Sequence, residues 1–466
     1  MRMEPYELTL SAAAAEIQAG RLSPVELTNS VLDRIDAIEN TLHAFSCVTA
    51  ELARNAAQAA AEEIAAGRYR GPLHGIPLSV KDLYDTAGVL STSGSKLRAG
   101  HIPDTDAVTV ERLFAAGMVM VGKTHTHEFA YGVITPISRN PWNPRHIVGG
   151  SSGGAAAAVA SGACMIGLGS DTAGSIRIPA SLCGTVGLKP TYGRVSRRGV
   201  ASLAWSLDHV GPLTRNVRDC ALVLNAIAGF DRLDPACVDV PVPDYTTGLD
   251  QDITGLRIGV PANYFFDHVH DDVATAVRHA IGVLQNLGAQ VREVTIPYAD
   301  ALAAVELGIV LPEASAYHQQ WLRDKGDLYS PDVRLLLEMG ELMFATDYIK
   351  ALRIRTLIQQ AWAAMFDHID VLASPSTPLA APTVDTADVT WPDGTTENIA
   401  TALRRLTSPE NVTGLPALSL PVGFNGSTGL PLGMQIIGRP FDEATILRVG
   451  QAYETASNTV GRLAAV

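Results

Sequence analysis

Apolar and polar positions repeat along this chain with two different periods, and the switches between them outline its elements. Near the start, Ser23-Pro24-Val25-Glu26 reads as a capping box with proline at the first helical position. Leu27, Val31, Leu32, Ile35 and Ile38 then share one face of the helix that follows. Residues 50–66 read as an alanine-rich second helix that stops near Gly67. Beyond it, apolar runs too short for helices take over. Residues 76–80 predict a strand ending at Lys81-Asp82, and a helix over 106–116 leads to a strand at 118–121. A helix over 154–162 leads likewise to a strand at 164–168. Helix 215–228, strand 256–260, helix 272–287 and strand 291–296 continue the alternation. Residues 311–366 read as helical with a break at Ser330-Pro331, and 374–398, rich in Pro, Thr and Asp, as loop. Strands at 417–421 and 431–437 and a helix at 442–455 follow. The pattern predicts an α/β fold, a single large α/β/α sandwich whose central mixed sheet carries helices on both faces. With no internal repeat and no long linker, residues 1–466 are expected to form one domain.

Composition narrows the function classes. The 466 residues carry 35 Lys+Arg against 48 Asp+Glu, a formal charge of -13. An acidic chain without a basic block is a poor partner for phosphate backbones, so no nucleic acid is expected to bind it directly. Cys47, Cys164, Cys183, Cys220 and Cys237 are odd in number, widely spaced and free of any CxxC pair. That excludes a disulfide framework or zinc site as the natural reading and points to thiols in a reducing compartment. The first residues lack the apolar core of a secretory signal, and no apolar stretch is long enough to span a bilayer. A cytoplasmic protein without a membrane segment is the expectation.

The densest chemistry lies in two glycine- and serine-rich turns. In Gly149-Gly150-Ser151-Ser152-Gly153-Gly154, four glycines surround two serines, more than a helix cap needs. They mark a backbone that something must approach closely. In Gly169-Ser170-Asp171-Thr172-Ala173-Gly174-Ser175-Ile176-Arg177, small residues precede Ser175. Such a run leaves consecutive amides free to converge on one point, as an oxyanion hole requires. Asp171 and Arg177 are spaced to pair and hold the turn. A serine nucleophile needs a base. Lysine can serve if burial lowers its pKa by several units from ~10.4. Lys81, at the end of an apolar strand, is the candidate. Gly149-x-Ser151-x-Gly153 also fits a nucleophile elbow, but that arrangement needs a late histidine, and the last one here is His368. Gly117-x-x-x-x-Gly122-Lys123-Thr124 fits a phosphate-loop string, yet its middle residues read as a strand, so no nucleotide is expected there.

Taken with Gly75-Ile76-Pro77-Leu78-Ser79-Val80-Lys81-Asp82, Ser206-Leu207-Asp208-His209, Asn411-Val412-Thr413-Gly414-Leu415-Pro416 and Gly429–Gln435, these segments resemble the amidase signature family. The likeness is strong over residues 70–225, the signature core, and over 400–455, and weak between. It implies hydrolysis of C–N bonds without a cofactor or a metal. By that resemblance Ser175 is the nucleophile, Ser151 the bridging serine after a cis peptide bond, and Lys81 the base that draws a proton through Ser151. The amides of Thr172, Ala173, Gly174 and Ser175 are the implied oxyanion donors, although relatives more often carry Gly where Ala173 stands. Ser152, Asp171 and Arg177 support the network. Gly150, Ala130 and Tyr131 are the implied substrate-binding positions, and the helical region 311–366 supplies the rest of the pocket.

The expected partner is a small amide, anilide or carbamate (urethane), with the chain acting as a monomer or homodimer. A rival within the same resemblance is the glutaminase component of a tRNA-dependent amidotransferase. That component typically carries paired arginines in its middle helix, where this chain reads Arg334-Leu335-Leu336-Leu337-Glu338-Met339-Gly340. Leucines there favour an apolar substrate. A catalytically silent binding protein on the same fold is the third reading, and the intact set Lys81, Ser151 and Ser175 argues against it.

Overall fold

The computed structural model describes residues 4–457 and 459–466. Its strands are β1 (Phe45–Val48), β2 (Pro77–Lys81), β3 (Val119–Thr124), β4 (Ile166–Asp171), β5 (Val186–Lys189), β6 (His209–Thr214), β7 (Arg257–Pro261), β8 (Gln290–Val294), β9 (Val371–Pro375), β10 (Asp388–Thr390), β11 (Thr396–Asn398), β12 (Ala417–Phe424) and β13 (Pro431–Gly438). Among the described residues, eleven of them form one sheet in the order β1-β3-β2-β4-β6-β5-β12-β13-β9-β7-β8. β2 runs parallel to β3 and β4, and β7 to β8 and β9. The middle strands pair antiparallel, so the sheet is mixed, as the alternation of elements predicts. β2 to β6 are buried at every residue. Helices cover strands of this kind, which explains why they read as short continuous apolar runs rather than alternating ones.

Local chemistry accounts for the elements around the sheet. Ser23 Oγ accepts the Glu26 amide at 3.0 Å while Glu26 Oε2 accepts the Ser23 amide at 2.9 Å, the reciprocal cap that the sequence predicts. It opens the helix Pro24–Leu42. The helix Gly153–Ala160 is buried along its whole length. Its small residues let it lie tight on β4, where Ala155 meets Gly167. All five cysteines are free, with Cys47 partly exposed and the rest buried. Among the described residues no helix is long and apolar enough to cross a membrane.

Several expectations need correction. The helix Leu10–Gln18 and strands β1, β5, β6 and β9 carry no clear periodic signal. β5 reads Val-Gly-Leu-Lys and β6 reads His-Val-Gly-Pro-Leu-Thr, sequences that form strands only because neighbours on both sides pair with them. Residues 374–398 are not all loop, because β10 and β11 pair as a two-stranded ribbon. The helical region begins at Leu302 and not at 311, and the helix Leu302–Lys325 continues through Pro312. The break at Ser330 is present, with Pro331 opening the helix Pro331–Glu341. A second break at 342–344 precedes the helix Ala345–Phe366.

Close packing under the serine turn gives a first test. A Cβ on Gly154 would lie 2.7 Å from both His125 N and His125 O, and closer still to the Ala44 carbonyl. Gly154→Ala is expected to destabilise the chain by ~1–3 kcal/mol through overpacking. A urea midpoint equal to wild type would show that the turn can give way.

Candidate active site

The C-terminal end of β2 delivers Lys81 into the interior, where its side chain has no solvent exposure. Three hydroxyls surround its amine: Ser151 Oγ at 2.7 Å, Ser152 Oγ at 2.9 Å and Ser170 Oγ at 2.9 Å. Among the described residues no carboxylate touches it. Burial holds Lys81 well below the ordinary lysine range, against the weaker upward pull of Asp171 and Asp208. A neutral amine has two protons and one lone pair. Each of the three hydroxyls can accept from Nζ or donate to it, so the setting can accommodate such an amine.

The serines reach the amine from two turns. The Gly150–Ser151 peptide bond is cis. The Ser151 carbonyl accepts from Thr135 Oγ1 at 3.1 Å and from the His127 amide at 3.3 Å, which fixes the turn against the 127–135 loop. Ser152 Oγ donates to the Ser170 carbonyl at 3.1 Å and accepts the Ser170 amide at 3.2 Å. It therefore ties the first turn to the end of β4. Ser170 is a site residue to which the sequence assigns no role. The signal for it is its place just before the turn, on the strand parallel to β2.

Ser175 is almost fully buried, and its carbonyl accepts from the Ser152 amide at 3.1 Å. Its Oγ forms no hydrogen bond with another described residue, and none links Ser151 Oγ to Ser175 Oγ. Ser175 lies on the wall of a cavity of about 240 Å³, together with Thr172, Ala173, Ala130 and Tyr131. A larger cavity of about 730 Å³ shares Ala130, Thr172 and Leu203 with it and adds Ser170, Trp205 and Tyr317. Of the two, the smaller one holds Ser175.

The expected ring of amides needs one correction. The Gly174 amide is committed to Asp171 Oδ1 at 2.7 Å, so it is not available to an oxyanion. The amides of Thr172, Ala173 and Ser175 donate to no other described residue. Gly150 is likewise absent from the walls of either cavity. A Cβ there would lie 2.7 Å from Ile134 N, so this glycine serves close packing.

Asp171 and Arg177 do pair, and both are fully buried. Arg177 Nε lies 3.0 Å from Asp171 Oδ2 and one terminal nitrogen 3.1 Å from Oδ1. The guanidinium also donates to Glu410, Gln435, Asn411 and the Thr407 carbonyl. Asp171 in turn accepts the amides of Gly174 and Ile176, so the turn before Ser175 is wrapped around one carboxylate. Burial alone would raise the Asp171 pKa, but the Arg177 charge outweighs it and holds the group ionised. Burial pushes Glu410 up to about 7 even beside Arg177. Lys123, from the phosphate-loop string, is buried within β3 and donates to Ser91, Thr86 and the Tyr84 carbonyl, a structural role. Among the described residues no group of three or more His, Cys, Asp or Glu side chains could hold a metal ion.

Known proteins resemble this chain over nearly its whole length. The amidase family model matches residues 26–447. An amidase from Pseudomonas putida is 52% identical over 453 residues, covering 97% of this chain and 96% of the relative. The glutamyl-tRNA(Gln) amidotransferase of Roseiflexus sp. (strain RS-1) contributes a second relative, its A-type subunit. That relative is 44% identical over 484 residues, covering 97% of each. A solved chain from a vestigial protein complex, studied for the origins of an s-triazine catabolic enzyme, superposes with a TM-score of 0.94. It is 36% identical, with 98% of this chain and 100% of that one covered.

Arg177→Met would leave the carboxyl groups of Asp171 and Glu410 buried without their cation. The expected cost is ~3–5 kcal/mol, or failure to fold. An unchanged urea midpoint would mean that other donors suffice for both groups.

Proposed function

Because this chain belongs to the amidase family and hydrolyses amide C–N bonds, we propose that it does so through an acyl-enzyme on Ser175, with Ser151 as relay and Lys81 as base. The observation that carries the reading is the fully buried Lys81 amine 2.7 Å from Ser151 Oγ, with no described carboxylate in contact to keep it charged.

Ser175 Oγ attacks the substrate carbonyl while its proton passes to Ser151 Oγ and the Ser151 proton passes to Lys81 Nζ. The relay closes as substrate draws the Ser175 hydroxyl toward Ser151, since catalytic hydrogen bonds commonly tighten in the Michaelis complex. The free amides of Thr172, Ala173 and Ser175 receive the oxyanion, each such donor being worth ~10²–10³ in rate. Lys81 then returns its proton through Ser151 to the departing nitrogen. Water, deprotonated by the same relay, frees the acid and restores Ser175. The smaller cavity takes the acyl side, with Ala130 and Tyr131 in its wall, and the larger cavity takes the amine side. Ser152 and Ser170 position the base, and the Asp171–Arg177 pair positions the amides.

Small amides, anilides or carbamates suit these cavities. Of the middle-helix leucines, Leu336 lines the acyl cavity, which supports a partly apolar substrate. The glutaminase reading draws on the 44% identity to an amidotransferase component. Anilide hydrolysis by the purified chain alone decides for the free hydrolase, and glutaminase activity that needs further chains decides for the other.

Ser175→Ala is expected to lose at least about a thousandfold in kcat/KM on a chromogenic anilide. Retained turnover would remove Ser175 from its role. The pH profile follows from the burial of Lys81. Its folded pKa is lowered, so the amine becomes neutral as pH rises through that value. Then kcat/KM climbs with pH, about tenfold per unit on the acidic limb, to a plateau above the pKa. Activity that falls over the same range would mean that the charged form is the active one.

A further inference from the structure

The acyl cavity contains an ion pair that an apolar acyl group does not need. Glu306 is buried and meets Arg404 at 2.8 Å, and both line the cavity that holds Ser175. Desolvating such a pair costs free energy, so apolar residues of similar size would serve an alkyl pocket better. Arg404 spends one N–H on Glu306, and the rest of its guanidinium has no acceptor among the described residues. Tyr131 lines the same cavity, is 6% exposed, and its hydroxyl has no partner among the described residues. An unsatisfied buried hydroxyl costs ~1–3 kcal/mol. Unspent N–H groups of Arg404 and the Tyr131 hydroxyl therefore sit at this end of the cavity beside one unspent carboxylate oxygen of Glu306.

These donors are held in register with the serine turn. Arg404 belongs to the helix Ile399–Arg405, and the chain just beyond it is tied down where Thr407 Oγ1 donates to the Ala173 carbonyl at 2.7 Å. Across the cavity, Glu306, Leu307, Val310 and Leu311 present one face of the helix Leu302–Lys325. The wall is thus apolar along its length and donor-rich at Arg404 and Tyr131.

We propose that the acyl group of the substrate ends in a carbonyl-type oxygen, as in a carboxamide, ureido or carboxylate group, and that Arg404 and Tyr131 recognise it. This rests on Ser175 being the acylated residue. The cavity volume of about 240 Å³ fits a short acyl chain. Arg404 and Tyr131 are then specificity determinants, and the neutral sum of the Glu306–Arg404 pair favours an uncharged terminus over an anionic one.

The test compares three near-isosteric p-nitroanilides, of succinamic, succinic and pentanoic acid. Wild type is expected to prefer a polar-tailed substrate over the pentanoyl one by about tenfold in kcat/KM, the worth of one hydrogen bond with a buried partner. Preference for the succinamoyl substrate assigns a neutral terminus, and preference for the succinyl substrate an anionic one. In Tyr131→Phe the polar-to-pentanoyl ratio is expected to fall at least about threefold. Arg404→Met is expected to lower it further, and Tyr131→Phe keeps the test valid if that variant does not fold. Equal or better turnover of the pentanoyl substrate overturns the proposal, as does an unchanged ratio in Tyr131→Phe. A fluorophosphonate probe separates the two readings. Failure to label Ser175 in folded protein defeats the serine mechanism itself, whereas labelling with none of the three anilides hydrolysed defeats the acyl-tail assignment alone.

Discussion

The structure depends on keeping one amine dry without giving it an anion. A lysine placed among carboxylates stays protonated and cannot accept a proton. Lys81 instead meets hydroxyls, which can exchange roles as donor and acceptor without carrying charge. The surrounding acids are occupied elsewhere. Asp82, the next residue along, accepts from the Thr92 hydroxyl and amide on its own side. Asp171, whose charge acts on Lys81 more strongly than that of Asp208, is engaged by Arg177 and by the amides of the serine turn. The low proton affinity of Lys81 is thus a property of several elements, and most of them never touch it.

Arg177 meets the opposite demand. A guanidinium does not give up its proton inside a protein, so burying it requires compensating charge. Asp171 provides that charge from the start of the turn, and Glu410 adds a close acceptor from a segment more than two hundred residues later. Two buried basic side chains thus sit in opposite settings: Arg177 among carboxylates, which hold the loop in shape, and Lys81 among hydroxyl dipoles, which leave its amine free of a charged partner.

How much of this was legible in sequence follows from distance along the chain. Ser151, Ser152, Asp171 and Ser175 lie in short runs with more glycines and serines than a helix cap needs and are legible there, whereas Lys81 ends an ordinary apolar strand and stands out only through the family resemblance. The capping box at Ser23 and the helix break before Pro331 were readable too, since their causes are local. β5 and β6 were not, because a sequence such as Val-Gly-Leu-Lys becomes a strand only when its neighbours supply the hydrogen bonds. Gly174 was misread because composition reveals that an amide exists but not where it points. The pairing of Glu306 with Arg404 was invisible for a plainer reason: 98 residues separate them, and neither sits in a motif.

The position of β12 and β13 bears on how such a chain comes into being. They are inserted between β5 and β9, so a strand made early finds its neighbour only after residues 417–424 exist. Contacts this remote in sequence form slowly, since a long loop must close before they repay its entropy. On a ribosome, the half of the sheet bearing Lys81 and the serines would emerge with its β5 edge unpaired, and Arg177 would wait for Glu410, Asn411 and Gln435. The serine turn thus lacks part of its support until the last segments of the chain are made, and until then the nascent polypeptide carries an open edge of the kind that chaperones shield.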